Sequence, residues 1–472
     1  MATSIERFFE LKARGTNVRT EVLAGVTTFM TMAYIVFVNP GILSAAGVPF
    51  AGAATATALG AALMTLAMGL ITNRPIALAS GMGLNAVVTF SVIGFQQANV
   101  PWQVGMAVIL VEGLAILALV LTGLREAVMN AIPLNLKRAI GAGIGLFITF
   151  IGLNEGGIVR PKPITLVDLG DFSSPAVWVT LIGLVATMGF MAFRVKGDIL
   201  WGILVATVAA LALGVATPPD RLVAAPDFGT FLAPFHTVRG GLAIAQVFTP
   251  TLLVAVFAIM LTDFFDTMGT VVAIGEQAGF VDAKGNVPGL RNILLVDSSA
   301  AAFGGLFGAS SITSYVESAA GVSQGGRTGL TNVVTALLFA ATAFLAPVIA
   351  MVGGGTPVPN ADHYALYAGS GFGVPGGTSF LYPITASALI VVGFLMIGVV
   401  RDIPWKDPEE AFPAFLTLVG IPLTYSISSG IGLGFISYVA MKVLHRKGGS
   451  VHPLLYVVSI AFLTAFVLQA IR

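Results

Sequence analysis

The sequence predicts an all-α polytopic membrane protein whose spans form two series of seven, related in an inverted sense. Three observations carry this. Hydrophobic residues make up 56% of the 472 and charged residues only 10%, against about 25% charged in an ordinary soluble domain, so the chain cannot cover a water-facing surface. Apolar runs long enough to cross about 30 Å of hydrocarbon recur along its length, separated by short polar breaks. An odd number of spans per series turns the second series upside down relative to the first.

Residues 1–21, MATSIERFFELKARGTNVRTE, are charged and amphipathic and lack the apolar core and small-residue cleavage site of a signal peptide. They are expected along the cytoplasmic face. The first series of spans is read at 22–39, 52–72, 76–95, 103–123, 138–153, 176–193 and 198–216. A polar, Pro-rich stretch at 217–245 separates it from a second series at 248–275, 292–308, 310–323, 329–352, 380–400, 411–444 and 453–470. The stretch 411–444 carries Pro422 and Ser428-Ser429-Gly430 in its middle, so it is either one crossing or a hairpin of two short helices, and the count is 14 or 15. No connection exceeds roughly 30 residues, too few for an extramembrane domain.

Basic residues collect on the cytoplasmic side of membrane proteins. With the N-terminus inside, Arg74, Arg125, Lys137, Arg138, Arg194, Lys196, Lys284, Arg291, Arg327, Arg401 and Lys406 all fall in inner connections. Arg160 and Lys162 fall outside, as do Lys442, His445, Arg446 and Lys447 if 411–444 crosses once. A plasma (cytoplasmic or inner) membrane location with a cytoplasmic N-terminus follows as the expectation.

Carboxylates at membrane depth cost roughly 2.5–3.5 kcal/mol each, so they are kept where they bind something or carry a proton. Asp263 and Asp266 lie in TLLVAVFAIMLTDFFDTMGTVVAIG, spaced i, i+3 and so near one helical face, with Thr267 beside them. Glu317 lies in GASSITSYVESAAGVSQGG, the third span of the second series. Its counterpart in the first series is RPIALASGMGLNAVVTFSVI, which carries Asn85. Both are poor helices, rich in Gly and Ser, and broken spans of this kind are tolerated only where they are buried in protein or line a cavity. Half-helix ends in equivalent positions of two repeats aim N–H groups and positive dipole ends at a midplane site. The constellation is rich in acceptors, which suits a neutral or cationic ligand with N–H donors, such as a nucleobase. Phe264, Phe265 and Tyr315 adjoin the acids as stacking faces, and a buried carboxylate beside another is suited to exchanging a proton.

Structural roles compete with these. An intramembrane acid can simply fix helix packing, Asn85 can serve as a cap, and aromatic side chains usually pack. Glu112, in an unbroken helical run, is read as structural, and Glu155, Asp168 and Asp171 as solvated groups at span ends or in loops. The run GAGIG at 141–145 fits close helix packing, since no Walker lysine follows. Four scattered histidines and no cysteine leave no metal site or thiol chemistry, and no cofactor is expected. A net charge of +1 without a basic tract points away from nucleic acid. An enzyme is excluded for want of a nucleophile with its base or a metal cluster, and a channel for want of polar stripes along several helices.

The runs ERFFELKARGTNVRTEVLAGVTTFMTMAYIVFVNP, DFFDTMGTVVAIGEQAG and TSYVESAAGVSQGGRTGLTNVV resemble the AzgA-like branch of the nucleobase–cation symporter 2 family, permeases for adenine, guanine and hypoxanthine, over essentially the whole chain. The resemblance implies fourteen spans as two inverted repeats and short antiparallel strands in spans 3 and 10. It implies a core domain at 22–123 and 248–352, a gate domain at 138–216 and 380–470, an elevator movement of one against the other, and homodimers through the gate domains. By position it makes Asp263 and Glu317 ligands of purine N–H groups, with Asn85 as the span-3 amide. Tyr315 and Val316 would present backbone groups to the base, and Asp266 would be tied to transport or protonation. Pyrimidine members carry histidine one turn after the span-8 acid; Thr267 stands here, which leaves the proton carrier open among Asp263, Asp266 and Glu317. Proton-coupled purine uptake is the resulting expectation. An anion permease or exchanger for sulfate or bicarbonate, with the same architecture, is the alternative, and it calls for a cation facing the half-helix ends.

Overall fold

A computed structural model describes residues 4–93, 100–123, 132–162, 165–280, 287–358 and 379–471, and the protein is a multi-pass helical membrane protein. Among the described residues nine helices are long and apolar enough to cross a bilayer; Met82–Ile93, Asp198–Ala212 and Pro453–Thr464 are shorter apolar helices.

The first span begins before residue 22. Asn17 Oδ1 accepts from the Thr20 amide at 3.0 Å and caps a helix at Val18–Met32, satisfying one of the orphan N–H groups of a helix start. The chain resumes as Ile35–Ala45. Glu21 is therefore buried in the packed structure. Its carboxylate accepts from the amides of Arg327 and Thr331 at 2.9 and 3.2 Å and from Thr331 Oγ1 at 2.6 Å. It caps the helix Gly329–Thr342, whose free N–H groups and dipole favour an anion.

The stretch 411–444 is a hairpin of two helices, Pro408–Leu423 and Ile427–Leu444, turned at Tyr425 with φ 53°. Lys442 clasps its ends, 3.1 Å from Glu409 and 2.8 Å from Glu410, and Lys447 lies 2.6 Å from Glu409. The hairpin thus brings its basic residues back beside the acids at its start. Pro453–Ile471 follows the hairpin as a further helix. Arg160 and Lys162 have a local acidic partner. They sit in a strand, Val159–Lys162, paired with Leu166–Leu169, and Asp168 balances them at 3.7 and 2.8 Å.

Both broken spans contain the expected strands. Leu78–Ser80 pairs antiparallel with Ile312–Ser314, Ala79 opposite Thr313. Lipid cannot satisfy the outer edges of such a pair, and side chains of the surrounding helices do so. Thr65 Oγ1 donates to Leu78 O and accepts from Leu78 N, both at 2.8 Å; Asn332 Nδ2 donates to Ile76 O at 2.7 Å; Ser318 Oγ accepts from Ala77 N at 2.9 Å. Gly81 caps a short helix, Met82–Ala86, that runs into a π-helical stretch at Val87–Ile93, and Glu317 stands at the cap of Ser318–Ser323.

The helices pack in two sets. Val18–Ala45, Phe50–Thr72, Trp102–Thr122, Leu290–Phe307 and Gly329–Thr342 surround the strands; Leu134–Glu155, Pro175–Ala192, Asp198–Ala212, Pro383–Met396 and the hairpin pack together beside them. Small residues set the approach. A Cβ on Gly113 would stand 2.2 Å from Ala302 N, and one on Gly305 2.6 Å from Leu110 N, so Trp102–Thr122 and Leu290–Phe307 touch backbone to backbone. Within GAGIG, Gly143 packs on Ile421 and Gly145 on Gly393, whereas Gly141 meets nothing and borders a cavity.

Candidate functional site

The strand ends and half-helix starts open onto one cavity of about 400 Å³, ordinary in size for a small ligand. One wall is polar, with Glu317, Asp266, Tyr34, Thr262 and Ser314; the facing wall is apolar, with Ile140, Ile144, Val392 and Met396. Gly81 and Gly83 bring the first half-helix to the cavity edge, and a Cβ on Gly83 would lie 3.0 Å from Ile144 Cγ2.

The expected site residues divide between the cavity and the packing behind it. Glu317 lines the cavity, and its Oε1 accepts from Tyr34 Oη at 2.7 Å. Asp266 is exposed into the cavity and lies within electrostatic range of Glu317. Val316 lines it with 52% of its surface free. Tyr315 lines it too, though its hydroxyl donates to Ser80 O and its amide to Ala77 O, so both donors are committed to the strand pair.

Asp263, Thr267, Phe264 and Asn85 are buried and absent from the cavity wall. Asp263 Oδ2 accepts from Ser311 Oγ at 3.0 Å. Thr267 Oγ1 donates to Asp297 Oδ2 at 2.6 Å and lies 2.9 Å from Thr313 Oγ1. Phe264 belongs to the apolar core; the side chain of Phe265 lies outside those described. Asn85 is the fourth residue of its helix, so Gly81 takes the cap, and its Nδ2 donates to Asn39 Oδ1 at 2.7 Å. Asn39 in turn donates to Thr57 Oγ1 at 2.7 Å, which ties the half-helix to the first two spans.

Three residues at or behind the site went unmarked as site residues in the sequence. Tyr34 is in an apolar run, where a tyrosine reads as packing, although a buried phenol needs a partner. Asp297 sits in RNILLVDSSAAAF and meets the same criterion that singled out Asp263; its Oδ1 accepts from Ser314 N and Oγ at 2.9 and 2.7 Å. Lys137 borders the cavity. It precedes Ile144 by seven residues on one helix, about 10 Å at 1.5 Å per residue, so it stands well away from the half-helix at Gly83.

Residues 19–358 match the permease family known as Xan_ur_permease. The chain belongs to that family. It is 39% identical to the guanine/hypoxanthine permease PbuO of Bacillus subtilis over 96% of this chain and 98% of that one, and 38% identical to the adenine permease AdeP of Escherichia coli over 98% and 96%. In fold it is similar to the transmembrane domain of a cyanobacterial bicarbonate transporter, BicA, with a TM-score of 0.61 at 14% identity, over 88% of this chain and 97% of the other. That likeness supports two inverted repeats of seven. Members of a permease family carry solutes rather than transform them, so the protein is a transporter and not an enzyme.

Proposed function

We propose that the protein takes up purine nucleobases together with a proton, by movement of the strand-bearing helix set against the other. One observation carries the ligand class: the cavity sets acceptors, Glu317 and Asp266, against an apolar wall of Ile140, Ile144 and Val392. A planar base rich in N–H donors satisfies both walls, where an anion would face two carboxylates. The names of the full-length relatives, guanine/hypoxanthine and adenine permeases, agree with this reading.

In this mechanism Glu317, held by Tyr34, accepts from purine N–H groups, and Val316 and Tyr315 shape the floor. Asp263, Asn85, Thr267 and Phe264 support the half-helices from behind, and the proton rides on the Asp263, Asp266 and Glu317 group. The strand-bearing set is the core and the set with Leu134–Glu155 the gate, and the cavity lies between them. The proposal includes a plasma-membrane location, a cytoplasmic N-terminus and a homodimer through the gate helices, which light scattering of the purified protein tests by mass.

Lys137 is the one observation favouring an anion permease. A thermal-shift screen of purified protein against adenine, guanine, hypoxanthine, uracil, sulfate and bicarbonate separates the two. Stabilisation by a purine that disappears in Glu317→Gln supports the proposal; stabilisation by sulfate or bicarbonate and by no base overturns it.

A further inference from the structure

Behind the strands lies a second group of acids that the binding cavity does not use. Glu112, on the unbroken helix Trp102–Thr122, is fully buried and within hydrogen-bond reach of Asp263, which is also fully buried. Among the described residues, neither Oε1 nor Oε2 of Glu112 nor Oδ1 of Asp263 meets a donor. The charged groups acting on the pair are Asp297 and Asp266, both acidic. Two carboxylates pressed together with no cation and no donor between them cannot both stay ionised. A single proton between them supplies the missing donor.

The surroundings distinguish Asp297 from the pair. Asp297 takes three donors, Thr267 Oγ1, Ser314 N and Ser314 Oγ, the environment of a stable carboxylate. Acids placed in such contrasting surroundings divide the labour of holding and passing protons. The groups are also connected. Asp263 lies beside Thr313, Thr313 lies 2.9 Å from Thr267, Thr267 donates to Asp297, and Asp297 holds Ser314, which lines the cavity. Every link is a hydroxyl or carboxyl that can pass a proton on.

We propose that Glu112 and Asp263 hold one exchangeable proton between them, that Thr313, Thr267, Asp297 and Ser314 connect it to the cavity, and that this is the proton moved with the substrate. The last clause rests on the proposed purine–proton symport. The pair takes the proton from the cavity when the site faces one side and returns it along the same hydroxyls when it faces the other, so no other reactant is needed. Gly113 contributes by letting the Glu112 helix touch the Asp297 helix at Ala302.

The test uses the full chain in proteoliposomes with radiolabelled hypoxanthine, and infrared spectroscopy of the same preparation. Wild type is expected to accumulate the base about tenfold per unit of imposed pH gradient, the value for one proton per base. Glu112→Gln is expected to bind and exchange the base while its gradient-driven accumulation falls to onefold. In the infrared, a protonated-carboxyl band in wild type should shift in Glu112→Asp and vanish in Glu112→Gln. Accumulation by Glu112→Gln equal to wild type, a band unaffected by either variant, or accumulation driven only by a sodium gradient overturns the proton pair. Absence of purine transport by wild type, with the band behaving as described, overturns the purine reading and leaves the shared proton standing.

Discussion

Tyr34 Oη donates to Glu317 Oε1 at 2.7 Å, joining the first span of one repeat to the broken span of the other. The bond fixes the carboxylate at the cap of Ser318–Ser323 and leaves its other oxygen for a ligand. A hydrogen bond to a charged group contributes roughly 1.5–3 kcal/mol, so Tyr34→Phe is expected to weaken purine binding at least tenfold with little change in thermal stability. Scintillation-proximity binding of labelled hypoxanthine measures this. Unchanged affinity would mean that Tyr34 does not position Glu317 for the base.

Glu317 and Asp263 should fail in different ways. Glu317→Gln removes an acceptor from the cavity wall and is expected to abolish both binding and uptake. Asp263→Asn alters a buried group behind the wall; uptake is expected to be lost while some binding persists. Uptake and binding measured on the same correctly inserted preparations decide it, and full transport by either variant sinks the assignment.

The cavity edge is also a contact between the two helix sets, because Gly83 meets Ile144 there. A Cβ at 3.0 Å is tighter than ordinary van der Waals contact, and packed interfaces tolerate little added volume. Gly83→Ala is therefore expected to slow uptake several-fold, and Gly83→Ala with Ile144→Ala to recover it. Initial rates in proteoliposomes give the comparison; a double variant as slow as the single one would rule out the clash.

Much of this architecture was legible in the sequence, for reasons that can be given residue by residue. The hydrocarbon thickness fixed the spans, Pro422 and the Ser-Ser-Gly run marked the hairpin, and the Gly- and Ser-rich segments around Ser80 and Ser314 marked the strands. What spacing could not supply was direction. Asp263 and Asp266 are about 60° apart around a helix, and that angle is enough to aim one into the cavity and the other into the packing. The Tyr34–Glu317 and Glu112–Asp263 contacts were equally illegible, since each joins segments that only the tertiary fold brings together. Glu21, read as part of a surface segment, proved to be a buried cap because its partners lie some 300 residues away.

Glu21 gives a stability prediction in its own right. Its carboxylate takes amide and hydroxyl donors at the start of Gly329–Thr342, and stranding buried donors costs about 1–3 kcal/mol. Glu21→Ala is expected to lower the Tm by several degrees and to expose the 329–342 amides to hydrogen exchange, whereas Glu21→Gln keeps part of the cap and loses less. Equal melting of all three proteins would show that the cap contributes nothing.

The extramembrane strand pair offers a pH-dependent test. The hydrogen bond from Lys162 holds the Asp168 carboxyl below the usual carboxylate range, aided by the Leu169 amide and by the charges of Lys162 and Arg160. A carboxyl whose folded-state value is depressed stabilises the fold above its ordinary range and loses that contribution as pH falls through the depressed value. Protection of the strand-pair amides, corrected for intrinsic exchange, should thus be constant near neutrality, begin to fall where free carboxylates titrate and go on falling down to the depressed Asp168 value. Asp168→Asn should show the lower protection at every pH. If Asp168→Asn keeps the wild-type acid transition, some other group governs the hairpin, and Asp168 is not what balances Arg160 and Lys162.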